Sequence, residues 1–167
     1  MNKDHILEQM TFSPETGSLL FNGVRYLIIR PETLCAVQKI AEEEFGAAGT
    51  AILFKSALTG GRLSMEKYRE IFCLSNQEAA AYMCEMGGQI GWGKLFLELF
   101  DEDSQRIVVT VRHSPFAAAY GRSHKPACHF IRGIVAGIAE AVFHHPTEVT
   151  ETLCSACGDP YCRFETS

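Results

Sequence analysis

The sequence contains no run of about 20 uninterrupted apolar residues, so no membrane-spanning helix is expected. Basic residues are in deficit: 15 Lys and Arg stand against 20 Asp and Glu, a formal charge of −5. Binding to a phosphate backbone draws on a basic surface, and nucleic acid is therefore not expected as a partner. There is no Gly-x-Ser-x-Gly elbow. Gly87, Gly88, Gly91 and Gly93 follow a helical stretch and precede a strand, the reverse of the order that a phosphate loop needs. Internal repeats, low-complexity tracts and long Pro/Gly/Ser linkers are also missing, so residues 1–167 read as a single domain. The first ten residues carry Asp4, His5, Glu8 and Gln9 where a secretory signal needs an apolar run, which points to a cytoplasmic protein.

What the chain does have is cysteine. Seven is a high count for a reducing compartment and an odd one for a disulfide framework, which favours metal ligands, reactive groups or small buried residues over bridges. Cys35, Cys73 and Cys84 lie singly among apolar residues and read as core thiols. The other four, Cys128, Cys154, Cys157 and Cys162, crowd into the last 40 residues.

The pattern of the chain predicts an α+β fold with a helical N-terminal half. Residues 18–30 (SLLFNGVRYLIIR) hold an Asn22-Gly23 turn between apolar runs and read as a hairpin, with strand formers from Val24 to Ile29. Pro31 opens a helix that places Leu34, Val37, Ile40, Ala41 and Phe45 on one stripe and stops at Gly46, with Glu42, Glu43 and Glu44 as a solvated face. A second helix is expected over residues 50–58, broken at Gly60-Gly61, and a third over 65–72. Asn76 is the expected cap of a fourth, running from Gln77 to about Met86 and ended by Gly87-Gly88. The period then changes to 2 over residues 93–100, and 107–112 is a β-branched run that pairs with it antiparallel. Pro126 starts a long helix to about His144 with a small-residue stripe, Gly133, Ala136, Gly137 and Ala139, suited to close packing. Adjacent His144 and His145 point about 100° apart and read as a solvated helix end. Residues 147–153 and 161–165 form the final hairpin around Gly158-Asp159-Pro160.

That hairpin reads Glu-x2-Cys-x7-Cys. Its turn folds Cys162 back towards Cys154 and Glu151, and Cys128, at the start of the long helix, supplies a fourth group if the helix packs there. Three sulfurs and one oxygen suit tetrahedral zinc, and a closed four-ligand shell is structural. The spacing alone also fits a cluster of buried thiols.

Residues 126–167 (PACHFIRGIVAGIAEAVFHHPTEVTETLCSACGDPYCRFETS) resemble the C-terminal half of the 4-vinyl-reductase domain, a hydrocarbon-binding module. The matched features are the cysteine at the helix start, Gly133-x3-Gly137, Glu-x2-Cys, Gly-Asp-Pro and Cys-x-Phe. Gly91-Trp92-Gly93 and the stretch from Ile107 to His113-Ser114-Pro115 extend the resemblance upstream to about Ile90. The domain occurs in bacteriochlorophyll-biosynthesis proteins, in archaeal stand-alone proteins and as the sensor of phenol- and xylene-responsive activators. The resemblance implies zinc on Cys128, Glu151, Cys154 and Cys162. Cys157 departs from the family pattern, standing either as an alternative ligand to Glu151 or as a free oxidisable thiol. The resemblance also implies an apolar cavity between sheet and helices, for which Trp92, Phe96, Phe116, Tyr120 and Phe130 are the candidates by position. His113 is a candidate polar contact, although it reads more simply as a strand-end histidine.

Three functions are then in competition. The first is a zinc-stapled module that binds a small apolar or aromatic ligand and acts through a protein partner, because the chain lacks the ATPase and DNA-binding parts of the activators. The second is a vinyl reductase or an accessory of tetrapyrrole biosynthesis; reduction needs a hydride source, and no dinucleotide fingerprint is found. The third is a scaffold like the trafficking-complex subunits of related fold. Relatives of this fold are commonly dimeric, so a homodimer is expected, and no catalytic residue is assigned.

Overall fold

The computed structural model describes residues 6–167; residues 1–5, including part of the segment read against a secretory leader, lie outside the described residues. A short helix α1 (Ile6–Gln9) leads into a three-stranded antiparallel sheet, β1 (Thr11–Ser13), β2 (Ser18–Phe21) and β3 (Val24–Tyr26). Asn22 and Gly23 both take positive φ, 47° and 77°, as a tight two-residue hairpin turn requires, and Phe21 pairs with Val24 across it. The strand ends at Tyr26. Leu27 and Ile28, expected as strand, instead lie 83% and 93% exposed in a linker.

Three helices follow: α2 (Pro31–Phe45), α3 (Ala47–Phe72) and α4 (Asn76–Gln89). On α2 the expected apolar stripe is only partly covered: Cys35 and Gln38 are buried, whereas Val37, Ile40 and Phe45 are exposed. The expected break at Gly60-Gly61 does not occur, and α3 runs unbroken for 26 residues. The reason lies in α6 (His129–Phe143), which packs along α3. A Cβ on Gly61 would stand 2.4 Å from the Ile134 carbonyl oxygen; one on Gly133 would stand 2.3 Å from that of Phe54, and one on Gly137 2.2 Å from that of Leu58. Glycines on both helices bring the two backbones together, so at Gly61 tertiary packing overrides a local breaker. Cys35 and Cys84 are buried as expected, but Cys73 is exposed, because it forms the left-handed cap that ends α3. The cap of α4 is Ser75 rather than Asn76: its hydroxyl accepts from the Glu78 amide, and the Glu78 carboxylate accepts from the Ser75 amide, a closed capping box. Gly87 and Gly88 stay within this helix, Gly87 lying against Leu95.

The main sheet has the order β4-β5-β7-β6, all antiparallel: β4 (Lys94–Asp101), β5 (Arg106–Arg112), β6 (Val149–Leu153) and β7 (Cys162–Thr166). Residues 107–111 of β5 are all buried, as a central β-branched strand covered on both faces should be. A helix not foreseen, α5 (Pro115–Tyr120), follows β5; Ser114 caps it by accepting from the Ala117 amide. The long helix α6 begins at His129, three residues after Pro126, and places Cys128 at its N-cap. The core lies where α6, α3 and α4 meet the sheet, around Met65, Tyr68, Ile131, Val135 and Phe164. Glu42 is not solvated as its run suggested: it accepts from the Tyr120 hydroxyl at 2.7 Å and from Gln38 at 2.8 Å, tying α2 to α5.

Candidate metal centre and apolar cleft

Four ligating side chains converge where the N-cap of α6 meets the last hairpin. Glu151 lies on β6, Cys154 just after it, Cys162 opens β7, and Cys128 comes from the helix. All four are buried, and one ligand atom from each lies within 4.8 Å of all the others. A register shift in β6 between Glu151 and Leu153 turns the strand into the hairpin. A 3-10 turn, Ser155–Cys157, and Gly158 at φ 104° then return the chain. The Asp159 carboxylate accepts from the Cys154 amide at 2.8 Å, and the Ser155 hydroxyl and amide lie 3.2 and 3.4 Å from the Cys162 sulfur. These supporting hydrogen bonds hold the two sulfurs in place.

Tetrahedral zinc with Zn–S bonds near 2.3 Å sets neighbouring sulfurs about 3.8 Å apart. The Cys128 and Cys162 sulfurs stand 3.7 Å apart. One Glu151 oxygen accepts from the Cys128 amide at 2.9 Å, while the other is fully buried with no hydrogen-bond partner. An orphaned carboxylate oxygen facing sulfur is costly in a metal-free core and natural for a metal ligand. Burial first, then the hydrogen bond and negative field of Cys154, push the Glu151 carboxyl up to about 8. Hydrogen bonds to Cys154 and Cys162, and then burial, push the Cys128 thiol up. Cys162 is held down because Cys128 and Cys154 donate to its sulfur. Without a cation, the cluster therefore carries fewer negative charges than it has ligands. Cys157 is exposed and outside the four. His129, next to Cys128, is buried 3.7 Å from Glu42; burial, then the Arg132 charge, lower its pKa and favour the neutral ring.

A second feature lies at the other end of the same helix start. Trp92, Phe116 and Phe130 pack edge-on or tilted, with ring centroids 5.5 to 5.8 Å apart. Gly93 at φ 99°, so close to β5 that a Cβ would stand 2.6 Å from the Arg112 carbonyl oxygen, fixes the turn that presents Trp92. The three rings wall one side of an apolar cleft of about 640 Å³, and Met10, Tyr26 and Leu34 lie on its other walls together with residues 27–31. Ile90 and Trp92 also border an inner cavity of about 50 Å³ beneath the cleft, lined by Met83, Cys84, Leu95 and Ile131 among others. Of the five sequence candidates, three thus face the cleft. Phe96 does not: it is 47% exposed on the outer face of β4, under the Arg112 guanidinium. Tyr120 does not either, its hydroxyl donating to Glu42 and its ring lying under Lys39. His113, at φ 57°, is an exposed residue at the end of β5. The walls contributed by the N-terminal hairpin and linker were missed; the one hint was the apolar run Leu27-Ile28-Ile29.

Residues 107–167 match the model of the vinyl-4-reductase (V-4R) domain. The four clustered ligands and Phe116 and Phe130 lie inside this matched region, and Trp92 lies upstream of it. An uncharacterized protein of Methanocaldococcus jannaschii is 44% identical over 41 residues, covering 25% of this chain and 26% of its own. A second uncharacterized protein of that organism is 34% identical over 73 residues, covering 42% of this chain and 32% of its own. The chain therefore spans less than a third of these curated relatives. In three dimensions, the phenol-responsive sensory domain of the transcription activator PoxR, solved with phenol, superposes with a TM-score of 0.83 at 15% identity, over 96% of this chain and 85% of that one. A vinyl-4-reductase family protein from M. jannaschii gives 0.51 at 18% identity, over 87% and 98%. Trafficking protein particle complex subunit 3 from Naegleria fowleri, covalently bound to palmitic acid, gives 0.56 at 14%, over 81% and 93%. These likenesses concern the fold. No helix among the described residues is long and apolar enough to cross a membrane.

Proposed function

We propose that this protein binds a small apolar or aromatic molecule in the cleft at Trp92, Phe116 and Phe130, is stapled by zinc on Cys128, Glu151, Cys154 and Cys162, and reports occupancy to a partner protein. The observation that carries the reading is the aromatic-walled cleft of about 640 Å³, a size that suits small ligands, in a chain whose fold follows that of a phenol-responsive sensory domain over almost its whole length. Zinc, when bound, supplies a fixed cross-link between the start of α6 and the last hairpin. This chain's own residues do the rest: Cys128 and Phe130 are two positions apart, so the helix turn that is pinned is also the one that walls the cleft. The exposed apolar side chains of Val37, Ile40 and Phe45 on α2 support a protein contact, of which a homodimer is the simplest.

Trp92 is the only tryptophan, so its emission reports directly on the cleft. Titration with a panel of benzene, phenol, toluene and linear alkanes should give at least one saturable emission change with a matching rise in melting temperature, and Trp92→Ala should remove that rise. A panel that moves neither signal overturns the ligand reading. Native mass spectrometry should show one zinc per chain, and well under one in protein purified without chelator overturns the staple.

A further inference from the structure

Cys157 is the cysteine that the site leaves over. It ends the 3-10 turn that starts after Cys154, and its amide donates to the Cys154 carbonyl oxygen at 2.8 Å. A turn closed in this way keeps the two Cα atoms within about 7 Å, inside the roughly 4.4–6.8 Å span that a disulfide bridges. The Cys157 thiol also lies within hydrogen-bonding reach of the Cys154 side chain. One partner of the pair is open to solvent and the other is 1% exposed at the centre of the cluster. The four-ligand set is complete without Cys157, so its sulfur remains available for chemistry.

We propose that Cys154 and Cys157 form a peroxide-sensitive disulfide whose closure removes one sulfur from the metal centre; the release of metal rests on the zinc reading above, and the pairing does not. Hydrogen peroxide transfers one oxygen to the Cys157 sulfur as its O–O bond breaks, giving a sulfenic acid and one water. The Cys154 sulfur then attacks the Cys157 sulfur, the S–O bond breaks, and the oxygen leaves as a second water with the thiol proton. The two sulfurs together lose two electrons, which the peroxide gains. Cys154 is drawn out of the cluster towards the surface, and the remaining groups no longer form a four-coordinate shell.

The test treats the intact chain, zinc-loaded, with a small excess of hydrogen peroxide, and reads two signals: zinc passed to a chromogenic chelator and cysteine pairs mapped by peptide mass spectrometry. Wild type should release its zinc and yield a Cys154–Cys157 linked peptide, both reversed by dithiothreitol and added zinc. Cys157→Ser should hold its zinc at least about tenfold longer. Cys73 is the other exposed thiol among the described residues, and its oxidation should leave the metal in place. Equal release from wild type and Cys157→Ser, or a map in which Cys157 is oxidised without joining Cys154, overturns the proposal. If the starting protein holds no zinc, the metal reading fails on that measurement, and the peptide map still decides the pair.

Discussion

Replacing Gly60 and Gly61 by alanine, one at a time, should move stability in opposite directions. Both glycines sit inside α3, where alanine is the better helix former by about 0.5–1 kcal/mol. At Gly60 the nearest atom to a new methyl is the flexible Ile134 Cδ1 at 4.0 Å, so the propensity gain is kept. With about 2–4 °C per kcal/mol for a chain of this size, Gly60→Ala should melt about 1–4 °C higher. At Gly61 the methyl meets the α6 backbone, 2.4 Å from the Ile134 oxygen and 2.9 Å from its Cα, where ordinary contact begins at 3.4 Å. The helices must part by about 1 Å along a seam that also includes Gly133 and Gly137, and overpacking of a well-filled core costs about 1–3 kcal/mol or more. After the propensity gain is subtracted, a net loss of about 2–3 kcal/mol remains, or about 4–12 °C in Tm. Calorimetric scans of the two variants beside the parent measure this directly. Shifts of the same sign, or a Gly61→Ala variant within about 1 °C of the parent, would refute the packing account of why α3 is unbroken.

Cys154→Ser should lose the metal and several kcal/mol of stability, on the order expected for a structural zinc ligand; an unchanged melting curve would count against the staple. Zinc affinity should climb by at least about a hundredfold per pH unit below pH 8, because uptake displaces protons from Glu151, held up to about 8, and from Cys128, also raised; a flat profile in competition titrations between pH 6 and 7.5 would refute this. For the metal-free fold, the contribution of Glu151 has the opposite sign. This carboxyl is protonated when folded and ionised when unfolded between its ordinary 4.5 and about 8, so it supports the fold at low pH and loses that support as pH rises through 8; chelator-treated Glu151→Gln should lack that loss in pH-dependent denaturation. Ser75→Ala removes the hydroxyl of a closed capping box and should cost about 1 kcal/mol by urea denaturation, whereas Asn76→Ala should cost little.

The C-terminal half was legible because its signals are local and their spacing is specific. The alternation of β4, the branched run of β5 and the Glu-x2-Cys-x7-Cys hairpin each encode their own geometry. The helical half was less so, because glycine has two uses. Gly46 ends a helix as its sequence suggests, while Gly61 is a contact surface for a helix far along the chain, and nothing within its own window distinguishes the two. The cap was misplaced by one residue since Ser75 and Asn76 are both good caps; Glu78, three residues after Ser75, was the available discriminator. Phe96 could have been set apart by its alternation, for it shares a face with Lys94 and Glu98 while Leu95 and Leu97 face the other way. Tyr120 could not, because its position depends on α5, a helix whose single turn and a half leaves little periodicity to read. The outer wall of the cleft comes from residues 27–31, which sequence reasoning assigned to a strand because apolar β-formers are ordinarily buried.

The order β4-β5-β7-β6 gives the main sheet an uncommon timetable. The strand synthesised last, Cys162–Thr166, belongs between two made earlier, so a nascent chain that has reached residue 161 holds β5 and β6 with a slot about 10 Å wide between them. Only when the last five residues clear the ribosome can that slot close, and they deliver the fourth cluster ligand in the same motion. A chain stopped a few codons short would lose an inner strand and a sulfur together, and quality control would meet an open sheet rather than a slightly shortened protein.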